Sequence, residues 1–193
     1  MWWLRNEAVA FIEVGISKAV LALSGDRDNK ALFQEAVLRL NQIHADCALL
    51  SETIDVTNED HRFLVLDQLR EVNGLQATLI LEPASRNTAP ALTLASLYVK
   101  DTINDSTGDP ILVVTPADQI IQDKDAFTLA LQNCISVVEG DASNQTIGIL
   151  GITPIGPETG YGYIKKADNI GSFGEYTVQQ FAEKPNLDTA KAY

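Results

Sequence analysis

Residues 77–99 read ATLILEPASRNTAPALTLASLYV, and the change of period inside this stretch decides the fold. Ala77 to Leu81 is a short apolar run with little polar alternation, the pattern of a strand covered on both faces. It stops at Glu82-Pro83, because proline cannot donate to a strand ladder. From about Pro90 to Val99 the apolar residues recur at helical spacing instead. A strand, a polar turn and a helix thus follow one another within 23 residues.

The same exchange continues on both sides. Phe33, Ala36, Val37, Leu40 and Ile43 predict one helix, and Phe63, Leu66, Leu69 and Val72 a second. Thr57 followed by Asp60 predicts the N-cap of that second helix, and Gly74 its end. Downstream, Ile111 to Val114 reads as a strand, Phe127, Ala130, Leu131, Cys134 and Val138 as a helix, and Thr146 to Ile152 as another central strand. Alternation of this kind implies an α/β fold with a mainly parallel, Rossmann-like sheet flanked by helices. After Thr153 the texture changes to PIGPETGYGYIKKADNIGSFGEYTVQQFAEKP, where glycines separate short β-prone runs and predict a C-terminal antiparallel extension.

The chain has 193 residues, 46% of them hydrophobic, enough for one domain with a sizeable core. A net charge of -12 repels nucleic-acid backbones and anionic lipid surfaces, so neither is an expected partner. No apolar run reaches the ~20 residues of a membrane-spanning helix. The opening MWWLRNEAVAFIEVG is interrupted by Glu7 and Glu13 and lacks a small-residue cleavage site, which argues against a secretory leader. Cys47 and Cys134 sit in separate apolar segments, as two reduced core thiols would. These features lead to the expectation of a cytoplasmic protein and leave a homo-oligomer open.

In open α/β sheets ligands bind beyond the carboxyl ends of strands, so residues just after each strand carry the chemistry. One such place is Glu82 to Pro90, where a helix starting near Asn87 or Thr88 offers free N–H groups and Arg86 faces negative charge. A plain capped turn explains the same residues equally well. A second is ILVVTPAD, in which an apolar strand delivers Asp118 to the sheet rim; one carboxylate plus substrate phosphates suffices for Mg²⁺. The bland alternative is that Asp118 caps the next turn. A third comprises Tyr161, Gly162, Glu183 and Lys184: the carboxylate suits two sugar hydroxyls and the ammonium suits a phosphate. An ordinary hairpin with a solvated ion pair is the competing explanation. His44 and His61 lie in or beside helical patterns, and neither a Ser-His-Asp arrangement nor HExxH or CxxC spacing occurs.

Taken in order, LSGDRDNKALFQEAVLRL, NEDHRFLVLDQLREV, ILEPASRNTAPALTLA, ILVVTPADQII, GITPIGPETGYGYI and FAEKPNLDTAKAY resemble the mannose-1-phosphate guanylyltransferases from about Leu21 to Tyr193. The resemblance implies a GT-A-like nucleotidyltransferase fold, GTP and mannose 1-phosphate as substrates, Mg²⁺ as cofactor, and GDP-mannose and pyrophosphate as products. Carried over by position, it implies that Glu82, Arg86, Asn87 and Thr88 surround the guanine and its ribose. Asp118 would be the metal ligand and a catalytic residue. Tyr161, Gly162, Glu183 and Lys184 would surround the sugar phosphate, with Lys184 also catalytic. Gln119 departs from the histidine usual after PAD.

The larger departure is upstream. Proteins of this kind have a glycine-rich LAGGxGTRLWP-like loop after their first strand, then a PKQ segment. Here residues 1–20 are MWWLRNEAVAFIEVGISKAV, in which Ala8 to Val14 reads as a strand, Gly15 is the one glycine and Lys18 stands for the PKQ lysine. The expected organisation is therefore an atypical segment 1–20 in place of the loop and a partial nucleotidyltransferase domain 21–193. The chain is expected to be truncated at both ends and impaired in turnover. A non-catalytic nucleotide-sugar-binding or regulatory subunit is the alternative.

Overall fold

The computed structural model describes residues 7–13, 30–41, 49–72, 77–84, 86, 88–102, 110–141, 143 and 145–193, with backbone alone for 7–13, 41 and 49–52. The chain divides into two units, one ending at Gln132 and the other running from Asn133 to Tyr193.

The first unit is built on four strands: β1 (Glu7–Glu13), β2 (Leu49–Asn58), β3 (Ala77–Glu82) and β4 (Ile111–Pro116). They pair in the order β3-β2-β1-β4, and every pair is parallel. Helices α1 (Leu32–Asn41), α2 (Arg62–Glu71) and α3 (Thr88–Thr102) fall between them, and α4 (Lys124–Gly140) follows β4. The chain moves outward from β1 through β2 to β3 and returns to the other side of β1 with β4. The place where the direction reverses, between β1 and β4, is the topological switch point of an open α/β sheet. β1 realises the strand expected at Ala8 to Val14, one residue earlier.

Alternation along β2 sends its residues to two layers. Ile54 and Val56 are buried against Ala91, Ala95 and Val99 of α3, with Ile80, Leu92, Tyr98 and Leu112 around them. The i, i+4, i+8 spacing of small residues on α3 lets that helix approach the sheet closely. Thr53, Asp55 and Thr57 point the other way and are also buried. Right-handed crossovers put α1 and α2 on that side. Phe33, Ala36, Val37 and Leu40 of α1 are fully buried, as their spacing predicts. The Gln34 side chain accepts from the Ala31 amide at 3.0 Å, closing the start of α1, and donates to Glu71 Oε2 at 2.7 Å and the Gln68 carbonyl at 3.2 Å, tying α1 to α2.

Three sequence expectations are corrected. The residue that caps the turn leading into α2 is Asn58, the last of β2, whose Oδ1 accepts from the His61 amide at 3.1 Å; Thr57 is one residue too early. On α2 the fully buried side chain is Val65, whereas Phe63 is 68% exposed with the Arg62 guanidinium stacked 4.4 Å from its ring centroid. Apolar spacing set the helix but not which face turned inward. Gly74, Ile43 and Cys47 lie outside the described residues.

The third correction falls in the second unit, which holds the end of α4, the antiparallel pair β5 (Gly162–Asn169) and β6 (Tyr176–Glu183), and α5 (Leu187–Ala192). Thr146 to Ile152 is not a strand. The Gln145 and Thr146 amides donate to the Asp141 carboxylate at 3.1 and 3.0 Å, and Gly148 lies so close to Cys134 of α4 that an added Cβ would be 2.1 Å from its Sγ. No described strand pairs with the run, and Ile147 and Ile152 are more than four-fifths exposed. Apolar composition cannot make a strand without a ladder partner.

Asp141 collects further bonds from the Ser143 amide and from the Ser143 and Thr146 hydroxyls. These donors, the Ser143 amide foremost, hold its carboxyl far below the usual aspartate range. A depressed folded pKa contributes stability above the ordinary value and loses it as pH falls, so this turn loosens only in acid. Asp141→Ala is expected to raise amide exchange at Ser143, Gln145 and Thr146 about tenfold. Unchanged exchange by mass spectrometry would show that the backbone holds the turn without the carboxylate.

Candidate functional site

Because the strands of the first unit are parallel, their carboxyl ends form one rim. Asn58 of β2 pairs with Glu82 of β3, and Glu13 of β1 pairs with Pro116 of β4. Glu82 is thus placed at one end of the rim and Asp118, two residues beyond β4, at the switch-point end. Three strand spacings separate β3 from β4, about 14 Å.

The two ends differ in character. Glu82 is buried at 7% exposure. Six residues later Thr88 opens α3, whose first-turn N–H groups have no partner within the helix. Arg86 is exposed between them, and Asn87 lies outside the described residues. Asp118 is exposed in a turn directly after the buried Ala117. It takes no hydrogen bond or ion pair among the described residues, and α4 is capped by a different carboxylate: Asp123 Oδ1 accepts from the Ala126 amide at 2.9 Å. The turn-capping alternative for Asp118 therefore has no bond behind it. No group of three or more metal-ligating side chains occurs among the described residues. A lone rim carboxylate with all its lone pairs free still suits Mg²⁺, which fills its shell with substrate phosphates and water.

The second unit brings Tyr161, Gly162, Glu183 and Lys184 together at one end of its hairpin. Gly162 pairs with Glu183, and the Lys184 amide donates to the Tyr161 carbonyl at 3.1 Å. Lys184 has φ of 42°, a left-handed conformation uncommon for a side-chain-bearing residue and one that turns the chain sharply out of β6. Its Nζ lies 3.8 Å from Glu183 Oε1 with both groups largely exposed, an ion pair worth at most ~1 kcal/mol and easily opened by a competing phosphate. Gly162 is tightly enclosed: a Cβ there would sit 2.6 Å from Phe181 Cζ and 2.9 Å from Glu183 Oε2. Both are ends of mobile side chains. Gly162→Ala is therefore expected to change stability by under ~1 kcal/mol while displacing the Glu183 carboxylate. Urea unfolding checks the first expectation and the crystal structure of the variant the second; an unmoved Glu183 carboxylate would show that the enclosure yields elsewhere.

One buried acid escaped sequence analysis. Asp55 is fully buried in β2, and neither carboxylate oxygen has a hydrogen-bond partner among the described residues. Burial pushes its pKa from the ordinary 3.8 up to about 8. The signal was present as an acid flanked by Ile54 and Val56 in a period-two run, but the alternation reads as a half-solvated strand. Cys134 is a half-buried free thiol whose pKa burial also raises. No helix among the described residues is long and apolar enough to cross a membrane.

An open parallel α/β sheet takes its ligands at the carboxyl-end rim beside its switch point. The nucleotidyl transferase family pattern matches residues 20–193, and the chain belongs to that family. It is 41% identical over 181 residues to the mannose-1-phosphate guanylyltransferase of Escherichia coli K12, covering 91% of this chain and 34% of that protein. It is 40% identical over 163 residues to the mannose-1-phosphate guanylyltransferase RfbM of Salmonella typhimurium LT2, and 38% over 179 residues to ManC of the same organism. The matches cover 84% and 91% of this chain but 32% and 34% of those proteins, so the chain spans about a third of their length.

Proposed function

We propose that this chain carries the nucleotide and sugar-phosphate contacts of a mannose-1-phosphate guanylyltransferase, which forms GDP-mannose and pyrophosphate from GTP and mannose 1-phosphate. The observation that carries this reading is Asp118, a carboxylate without a partner among the described residues, on the switch-point rim of a chain so similar to proteins of that name. In this reading the first unit serves the nucleotide. Glu82, Arg86, Asn87 and Thr88 lie around the guanine and ribose, and α3 directs free N–H groups toward negative charge. The second unit serves the sugar: Glu183 accepts from its hydroxyls, Lys184 draws its phosphate, and Tyr161 and Gly162 present backbone.

The reaction requires no protein nucleophile. A phosphate monoester with a second pKa near ~6 is largely dianionic at neutral pH, so its oxygen forms the new bond to the α-phosphorus of GTP without a base. The bond from the α-phosphorus to the bridging oxygen breaks, and pyrophosphate leaves with that electron pair. When bound at Asp118, Mg²⁺ supplies positive charge against the repulsion of two anions. Residues 1–20 stand in place of a glycine-rich triphosphate loop and reduce turnover. The net charge of -12 leaves nucleic acid out of the reaction, and the setting is cytoplasmic.

Two measurements test this reading: Mg²⁺-dependent pyrophosphate release from GTP plus mannose 1-phosphate, and calorimetry with GDP-mannose. Release of pyrophosphate supports the enzyme. Tight GDP-mannose binding without release supports a non-catalytic binding subunit, and neither signal removes both.

A further inference from the structure

We infer that Tyr163 is the positioning residue of the sugar-phosphate site, its buried hydroxyl fixing the turn that presents Tyr161 and Gly162; the inference rests on the reading of that site given above. Tyr163 is 6% exposed, on a strand whose other residues are mostly exposed. Its hydroxyl accepts from the Glu158 amide at 2.8 Å and donates to the Gly156 carbonyl at 3.5 Å, so one atom holds the backbone on both sides of Pro157. The ring is fixed in turn by Tyr193, with centroids 5.6 Å apart and planes tilted by 58°.

The segment between this anchor and the hairpin has little else to hold it. Tyr161 is 69% exposed, and nothing lies within 4 Å of where a Cβ on Gly160 would stand. Its far end is fixed by the Lys184 amide on the Tyr161 carbonyl. The exposed residues Thr159 to Tyr161 are thus slung between two hydrogen-bonded points, one of which is a single phenol. Packing alone would need only a phenylalanine at 163. The hydroxyl is used on the turn, and its effect reaches the ligand through the backbone it holds.

Tyr163→Phe keeps the ring and its contact with Tyr193 and removes only that anchor. Amide exchange and an NMR titration with mannose 1-phosphate, run on the whole chain, test it. Three results are expected. The Glu158 amide exchanges about tenfold faster, mannose 1-phosphate binds about fivefold more weakly, as loss of one neutral hydrogen bond implies, and the shifts of Tyr161, Gly162 and Lys184 on ligand addition shrink. Exchange along β5 and β6 stays unchanged. If the native chain binds mannose 1-phosphate and the variant binds it equally well with equal shifts, the positioning role is wrong and the site reading stands. If the native chain shows no binding, the site reading falls and takes this inference with it. A variant that also loses protection along β5 and β6 shows that the hydroxyl holds the hairpin as a whole, which overturns a specific role on the turn.

Discussion

Asp118→Asn is expected, on the proposed metal role of Asp118, to lower the Mg²⁺-dependent affinity for GTP by about 100-fold, the loss of roughly 2.7 kcal/mol that follows when a carboxylate–cation contact is replaced by a neutral amide. The substitution keeps the side chain's shape. Asp118 is exposed and bonds to no other side chain or backbone group among the described residues, so thermal stability is expected to stay within about 0.5 kcal/mol of the native value. Binding measured without Mg²⁺ should be the same in both proteins. A Mg²⁺ dependence that survives the substitution would place the cation elsewhere on the rim and remove Asp118 from the proposed chemistry.

Asp55→Val has the opposite sign and acts on stability. A carboxyl group buried without a partner must stay protonated in the folded state, while in the unfolded chain it ionises near 3.8. Its folded pKa of about 8 lies above the unfolded value, so its contribution to stability is complete below pH 3.8 and is lost as pH rises toward 8. Across that window each pH unit removes up to ~1.4 kcal/mol. No cation among the described residues comes within ion-pairing distance of Asp55; the buried Arg39 of α1 stacks instead on Phe127, 5.2 Å from the ring centroid. Valine fills similar space, suits a strand and has nothing to ionise. The variant is expected to be more stable by about 3 kcal/mol at pH 7. Urea unfolding from pH 4 to 8 should show a steep fall for the native chain and a flatter profile for the variant. Parallel slopes would mean that Asp55 finds a partner in solution.

Where the sequence is legible, one simple period governs both the pattern and the burial. Phe33, Ala36, Val37 and Leu40 predict a helix, and all four are fully buried. Ala77 to Leu81 and Ile111 to Val114 predict strands and are strands. Legibility fails where the partner decides. β2 was not singled out because Thr53, Asp55 and Thr57 form a polar row on a covered face, and nothing local says that a polar row will be covered. The run Thr146 to Ile152 shows the reverse, with strand-like composition and no neighbour to pair with.

For the site, the placement of Asp118 and Glu82 followed from where strands must end. The geometry around Lys184 did not. The residue before a proline is normally held in extended conformations, so a left-handed Lys184 ahead of Pro185 is a tertiary outcome set by the closure of the hairpin.

The position of β1 has a practical corollary. The family pattern begins at residue 20, yet Glu7–Glu13 lies between β2 and β4 and pairs with both. Anyone trimming the polypeptide back to its recognisable portion would cut out the middle plank of the sheet, stranding β4 from its only neighbour among the described strands and leaving a two-stranded remnant behind. Purification handles and domain-boundary choices should leave those first thirteen residues in place.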